Sequence, residues 1–218
     1  MELTIINASP RKDGNTARLL TAFVDGFTAN GANTVKWVNL YDYSFSGCRS
    51  CFACKALSGK SYGKCAVKDD ITVILEALNA TDAILIGSPI YFASVPGQLH
   101  SFMERWLFPF STYETGYRSL WNNQIPIFTI YTMNATKQAA ESLQIPQAIG
   151  AVEAFISHVC GVVPIRQMVY DTYQFKDYSR YKVEVFSEES KRTVRDTQFP
   201  LELEKAKANG MQLAGTLG

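Results

Sequence analysis

The chain is 218 residues long, with 47% hydrophobic and 19% charged residues, a balance that supports one domain with a sizeable core and does not suggest a membrane protein. Lysine plus arginine (21) nearly cancel aspartate plus glutamate (20), and with no basic run a nucleic-acid partner would lack its usual electrostatic footprint. No stretch reaches the length of a membrane span, and Met1-Glu2 leads into strand pattern without the features of a signal peptide, so the expectation is a soluble cytoplasmic protein in which the sequons at Asn7, Asn79 and Asn134 are chance occurrences.

Short apolar runs alternate with amphipathic stretches, the pattern of a parallel sheet covered on both faces by helices. The first strand is expected over residues 3–7 and the first helix over 16–29. Between them, residues 7–16 read Asn-Ala-Ser-Pro-Arg-Lys-Asp-Gly-Asn-Thr, the composition of a phosphate-holding loop. Ser9, Asn15 and Thr16 offer hydroxyls and an amide to phosphate oxygens, and Arg11 offers a two-pronged cation. Gly14 permits a close backbone turn, and the following helix aims its unpaired N–H groups and positive dipole end at the same spot. Neither the G-x-x-x-x-G-K-S/T loop of triphosphate binders nor the G-x-G-x-x-G of dinucleotide folds is present. A terminal monophosphate such as that of FMN suits the loop better. The plainer alternative is a polar turn with Asn15 as a helix cap.

A second strand over 34–39 leads into a cysteine-rich loop, residues 48–65. Cys48, Cys51, Cys54 and Cys65 stand in the spacing Cys-x2-Cys-x2-Cys-x10-Cys, and the first three have the spacing of a ferredoxin-type ligand set. An iron-sulfur cluster stands beside three duller readings: free buried thiols, a disulfide made during handling, and a structural zinc. A reducing cytoplasm disfavours a native disulfide. Because the segment follows strand two, it is expected on the same edge as the phosphate loop. Asp69-Asp70 precede a helix expected over 70–79 and are read as its cap.

The third strand, over 83–87, is followed by Gly-Ser-Pro-Ile-Tyr-Phe-Ala-Ser-Val-Pro-Gly at residues 87–97, where Pro89, Ile90, Tyr91 and Phe92 would lie against a flat ring system. A helix over 96–106 comes next. Residues 107–121 carry Phe108, Phe110, Tyr113, Tyr117 and Trp121, read as a subunit interface, with internal packing as the alternative. The fourth strand, over 125–131, delivers Thr132 and Asn134 to a second wall. Ordinary turn and core packing is the alternative for both loops. The next helix ends near Cys160 and is expected to be interrupted at Pro146. Cys160 is read as a small core residue, and His100 and His158 as structural or surface residues. After a fifth strand over 162–170, a second aromatic arm, residues 172–187, is a candidate lid over the cofactor, its own or a neighbour's. Pro200 opens the last helix. In such sheets every strand-to-helix loop emerges on one edge and ligands sit there, so the loops after strands one, three and four mark the expected site.

Five strands fit a single-domain, flavodoxin-like α/β three-layer sandwich with a parallel sheet in the order 2-1-3-4-5. Ser9-Pro10-Arg11-Lys12 with Gly14-Asn15-Thr16, the segment Gly63-Lys64-Cys65-Ala66-Val67-Lys68-Asp69-Asp70, and Gly87-Ser88-Pro89-Ile90-Tyr91-Phe92 followed by Phe102-Met103-Glu104-Arg105 together carry a family likeness. Over residues 3–106 the sequence resembles the NAD(P)H-dependent FMN reductase and iron-sulfur flavoprotein branch of the flavodoxin-like superfamily. The resemblance implies that Ser9, Arg11, Asn15 and Thr16 hold the FMN phosphate and that Pro89, Ile90, Tyr91 and Phe92 line the isoalloxazine. Ala8 departs from the glycine usual in that family, and the gap before Cys65 is longer than in its cluster-binding members.

The expected function is an FMN-dependent oxidoreductase that takes electrons from NAD(P)H and passes them to a quinone, aromatic or other small acceptor. Hydride transfer needs no side-chain acid or base, so no catalytic residue is named. One alternative is an electron-transfer flavoprotein in which FMN and an iron-sulfur cluster serve a ferredoxin. Another is a non-enzymatic module for a different phosphate ligand. A homodimer or larger homo-oligomer is expected, because a flavin on a sheet edge needs a cover.

Overall fold

Five strands pair in parallel in the order 2-1-3-4-5: β1 (Glu2–Asn7), β2 (Thr34–Asn39), β3 (Ala83–Pro89), β4 (Ile127–Thr132) and β5 (Ile165–Val169). They come from a computed structural model that describes residues 1–31 and 33–216. The helices are α1 (Asn15–Phe27), α2 (Thr72–Ala77), α3 (Gly97–Leu107), α4 (Lys137–Ser142), α5 (Ile145–Cys160), α6 (Glu188–Thr197) and α7 (Phe199–Thr216). No described helix is long and apolar enough to cross a membrane.

Two hydrophobic clusters sandwich the sheet because alternate strand residues point to opposite faces. Leu3, Ile5, Leu85, Phe128 and Ile130 pack with Leu19, Leu20, Phe23 and Phe27 of α1 and with Ala206 and Leu213 of α7. Ile6, Ile84, Ile86, Ile127 and Tyr131 pack with Leu99, Phe102 and Trp106 of α3 and with Ile149, Ile156 and Val159 of α5. Burial on both faces explains why the central strands read as continuous apolar runs rather than as alternating ones.

Several expectations are corrected. Pro146 does not interrupt a helix; it sits in the first turn of α5, where its missing N–H costs no bond. The break falls earlier, at Gln144, whose backbone is left-handed (φ 54°) and separates α4 from α5. Asp69 and Asp70 do not cap α2: its capping position is Ile71, which makes no side-chain cap bond. Arg105 claims the Asp69 carboxylate, and the backbone N–H of Ser44 claims that of Asp70. Helix α6 was not expected at all. Strand β5 begins only after Pro164 and β4 only after Pro126, since neither proline has an N–H to give to a ladder.

Candidate functional site

The loops after β1, β3, β4 and β5 converge on one edge of the sheet. Asn7, fully buried at the end of β1, bridges the loops after β1 and β2: its Nδ2 donates to Asn39 Oδ1 at 2.9 Å, and its Oδ1 accepts the Ser9 N–H at 3.1 Å. Ser9 Oγ accepts the Arg11 N–H at 3.2 Å, tightening the turn. Gly14 then caps α1 in an extended conformation with no side-chain cap bond. The first turn of a 13-residue helix is left open on this edge, an arrangement that attracts an anion.

Other loops already engage the side chains expected around that anion. Thr16 Oγ1 lies 2.7 Å from Thr132 Oγ1, both hydroxyls buried, so the loops after β1 and β4 are tied together beneath the site. Arg11 Nη1 donates to Gln174 O at 2.7 Å, and Asn15 Nδ2 to Tyr173 O at 2.9 Å. With the Lys176–Asp13 ion pair at 3.2 Å, these bonds fasten the aromatic arm onto the chain's own phosphate loop. Lys176 also holds the Asp13 carboxyl below its ordinary range. Among the described residues Arg11 makes no bond through Nε or Nη2, so one prong of its fork stays free for an anion.

After β3, Ile90 N–H donates to Thr132 O at 2.9 Å, which fixes Pro89 and Ile90 beside β4. Tyr91 and Ser94 then exchange backbone hydrogen bonds at 2.8 and 3.0 Å around Phe92 and Ala93, both left-handed (φ 48° and 61°). Two such residues in a row make the tight turn that glycine usually occupies, and strain of this kind collects at functional sites. The turn presents Tyr91 half-exposed and Phe92 wholly exposed. Tyr41, in the turn after β2, stands close enough to Tyr91 to be affected by it: burial first, then the Tyr91 phenol, raises the Tyr41 pKa. After β4, the side chain of Asn134 makes no hydrogen bond among the described residues, and its Oδ1 is buried without a partner there. A flavin fits these residues: an open helix end with hydroxyls and a guanidinium for its phosphate, exposed aromatics for its ring, and an orphaned amide oxygen that wants a donor.

The cysteines lie elsewhere. Past β2 the chain runs along α3, with Leu40 O accepting from Gln98 near the start of the helix and Ser46 O accepting from Arg105 near its end. At about 1.5 Å per residue this places the cysteine loop roughly 10 Å along α3 from the edge where the other loops converge. The expectation of a location on that edge is corrected accordingly. Arg105 is wholly buried and every N–H of its guanidinium group is used: on Ser46 O, on Val67 O, on both oxygens of Asp69 (2.8 and 3.0 Å) and, through Nε, on Cys65 Sγ at 3.0 Å. It clasps both ends of the loop. Asp69 is held below its ordinary pKa chiefly by that pairing. Cys48, Cys51, Cys54 and Cys65 all line one small cavity with Glu104, Phe108 and Pro109, and Lys55 reaches the carbonyls of Phe108 and Ser111 beside it. Burial raises the Cys54 pKa, while Lys55 pulls it down. Among the described residues no three His, Cys, Asp or Glu side chains converge closely enough to hold a metal ion. Cys160 is a buried core residue whose thiol is pushed up to about 12 by burial. His100 bonds Ser94 Oγ at 3.1 Å, and His158 is exposed.

Residues 1–155 match the family of NADPH-dependent FMN reductases. The chain belongs to that family. Among curated relatives, an iron-sulfur flavoprotein of Methanocaldococcus jannaschii is 34% identical over 105 residues, which is 48% of this chain and 51% of that protein. The chain thus spans about half the length of the curated relatives it matches. Among solved structures, an NAD(P)H:quinone oxidoreductase from Methanothermobacter marburgensis superposes with a TM-score of 0.66 at 16% identity, over 98% of this chain and 96% of that one. An FMN-dependent NADH-azoreductase from Bacillus anthracis, solved with FMN, gives 0.67 at 13% identity, over 98% and 100%. At such identities the two structures share with this chain the fold alone, the flavodoxin-like sheet and its layers.

Three features of the site escaped the sequence. Tyr41 is an isolated tyrosine in a turn. Arg105 was noticed as part of a motif without its bond to Cys65. Lys191, buried under the loop after β4, sits in a segment so polar that no helix was expected there.

Proposed function

We propose that this chain is an FMN-dependent NAD(P)H oxidoreductase whose acceptor is a quinone, an aromatic compound or another small molecule. Beyond family membership, the observation that carries this reading is the first turn of α1, left without a side-chain cap at Gly14 and surrounded by Ser9, Arg11, Asn15 and Thr16. Those residues would hold the FMN phosphate. Pro89, Ile90, Tyr91 and Phe92 would lie against the isoalloxazine, with Thr132 and Asn134 as the opposing wall. Bound FMN would supply the chemistry, taking hydride from a nicotinamide and releasing electrons to the acceptor. The protein's own part is placement: the Tyr91–Ser94 turn holds two aromatic side chains out at the sheet edge, and the arm shields the phosphate end from solvent. The test is an absorbance titration of the purified protein with FMN. Retained bands near about 450 nm after desalting support the reading; their absence after FMN addition overturns it.

A second reading, an FMN and iron-sulfur electron-transfer protein working with a ferredoxin, is favoured by one observation: four thiols line a single cavity flanked by Arg105 and Lys55. Cys48, Cys51, Cys54 and Cys65 would be the ligands of a thiolate-bound cluster; in the described structure they share the cavity without converging closely enough to hold a metal ion, so they would have to draw together around it. Anaerobic purification followed by iron and sulfide analysis decides it; near-zero iron with intact flavin excludes the cluster.

We further propose a homodimer seated on an apolar groove of about 690 Å³ between α3 and α5, lined by Met103, Leu107, Phe108, Tyr113, Tyr117 and Phe155. Of the aromatics in residues 107–121, Trp121 is buried against Trp106 and Phe110, as internal packing, whereas Tyr113 and Tyr117 face outward.

A further inference from the structure

Lys191 is 2% exposed, although it lies in α6, a helix whose other described side chains are half-buried or exposed. Ordering and desolvating a lysine is costly unless its ammonium is fully engaged. Here it donates to the carboxylate of Asp171 and to the backbone carbonyl of Asn134, and it lies 4.9 Å from the centre of the Phe186 ring. Asp171 is itself left-handed (φ 56°), and its N–H donates to Ala135 O at 2.8 Å. One ammonium therefore joins three segments: the loop after β4, the loop after β5, and the arm that crosses the phosphate loop.

The bond to Asn134 is the informative one. Lys191 takes the main-chain oxygen of a residue whose side-chain oxygen is buried and unpaired. Leaving an amide oxygen buried without a donor is costly, and the fold tolerates that cost on the edge where the loops converge. The main chain is clamped, and the side chain it carries has a buried acceptor with no partner among the described residues.

We propose that Lys191 is a positioning residue for flavin binding: by fixing the Asn134 carbonyl it presents Asn134 Oδ1 to an N–H or O–H donor of the bound flavin. This rests on the reading of the edge as an FMN site. Lys191 touches neither flavin nor substrate in this role. It acts through Asn134, and Asp171 keeps its ammonium in place.

The test is a double-mutant cycle on FMN affinity, measured by quenching of flavin fluorescence in the full-length chain, with the melting temperature of each apo variant recorded in parallel. Lys191→Met is expected to weaken FMN by about 10- to 100-fold and Asn134→Ala by a similar factor. The double variant should be no weaker than the weaker single one, since both remove the same acceptor. Lys191→Arg, which keeps a cation on Asp171 and Asn134, should recover most of the affinity even if its melting temperature falls. An unchanged FMN affinity in Lys191→Met overturns the proposal, as does multiplication of the two losses in the double variant, or a loss that follows melting temperature across the whole set. A wild-type chain that takes up no FMN overturns the site reading and this inference together, and so is distinguishable from the other failures.

Discussion

Arg11 lies in solvent at the head of α1 and spends Nη1 on the carbonyl of Gln174. Among the described residues its Nε and Nη2 make no bond and are left for an anion, so Arg11→Ala should weaken FMN by about 1.5 to 3 kcal/mol, the usual range for a hydrogen bond to a charged group. Fluorescence titration measures it; unchanged affinity would place the phosphate elsewhere. Arg105 is the opposite case, a buried guanidinium with no donor to spare. Arg105→Met would leave the Asp69 carboxylate, only 18% exposed at its side chain, facing an apolar contact. Losing one partner of a buried pair costs about 3 to 5 kcal/mol, and urea denaturation should show a loss of that size. The same pair sets a pH dependence. Arg105 depresses the folded pKa of Asp69 below its ordinary 3.8, so the stabilisation is complete above that value and drains away as pH falls through it toward the lower folded value. Acid should therefore destabilise the wild type more steeply below about pH 4 than it does Asp69→Asn.

Helices α1 and α7 pack closely through one glycine on each, set against the other helix's backbone. A Cβ built on Gly26 would come within 2.0 Å of Lys207 O, and one on Gly210 within 2.0 Å of Phe23 O. Both obstacles are backbone, so the helices would have to move apart, and Gly26→Ala or Gly210→Ala should each cost about 1–3 kcal/mol or more. Gly215, in the same helix with nothing within 4 Å, is the control: Gly215→Ala should be neutral or stabilising by up to about 1 kcal/mol. Equal melting temperatures for Gly210→Ala and Gly215→Ala would refute the close contact. What was readable at this scale follows from the range of the forces involved. Strands β1, β3 and β4 announced themselves because both faces are buried and their runs are apolar save for Thr4 and Thr129, and the loops after them stood out through local chemistry: proline, hydroxyls, an arginine, paired aromatics. Helix α6 was hidden because its sequence, Glu-Glu-Ser-Lys-Arg-Thr-Val-Arg-Asp-Thr, has no apolar stripe; its one buried residue is a lysine. The arm's attachment was hidden for another reason: Arg11 and Asn15 bond backbone carbonyls, acceptors that every residue carries and no sequence marks. The path of the cysteine loop along α3 likewise depends on Arg105 meeting Ser46, a contact across 59 positions.

At the scale of the molecule, the flavin edge and the cysteine cavity stand at different points along α3, and the apolar groove borders the second of them: Glu104 and Phe108 line both the groove and the cavity. Phe155, Tyr113 and Tyr117, each at least 60% exposed, project from its walls. Exposed aromatic and aliphatic side chains gathered in one groove are the composition of a contact surface, and a second copy would bury them by symmetry, each α3 and α5 facing its equivalents. Light scattering of the purified protein should then give about twice the 24.3 kDa chain mass. Phe155→Glu, which puts a charge into the groove's wall without touching the sheet, should return the monomer mass. Because Phe155 is exposed and no residue assigned to FMN lines the groove, the variant should keep its fold and show by flavin titration whether the cover comes from the chain's own arm or from its partner. Retained affinity in the monomer assigns the cover to the arm held by Arg11, Asn15 and Lys191; a monomeric wild type would remove the dimer altogether.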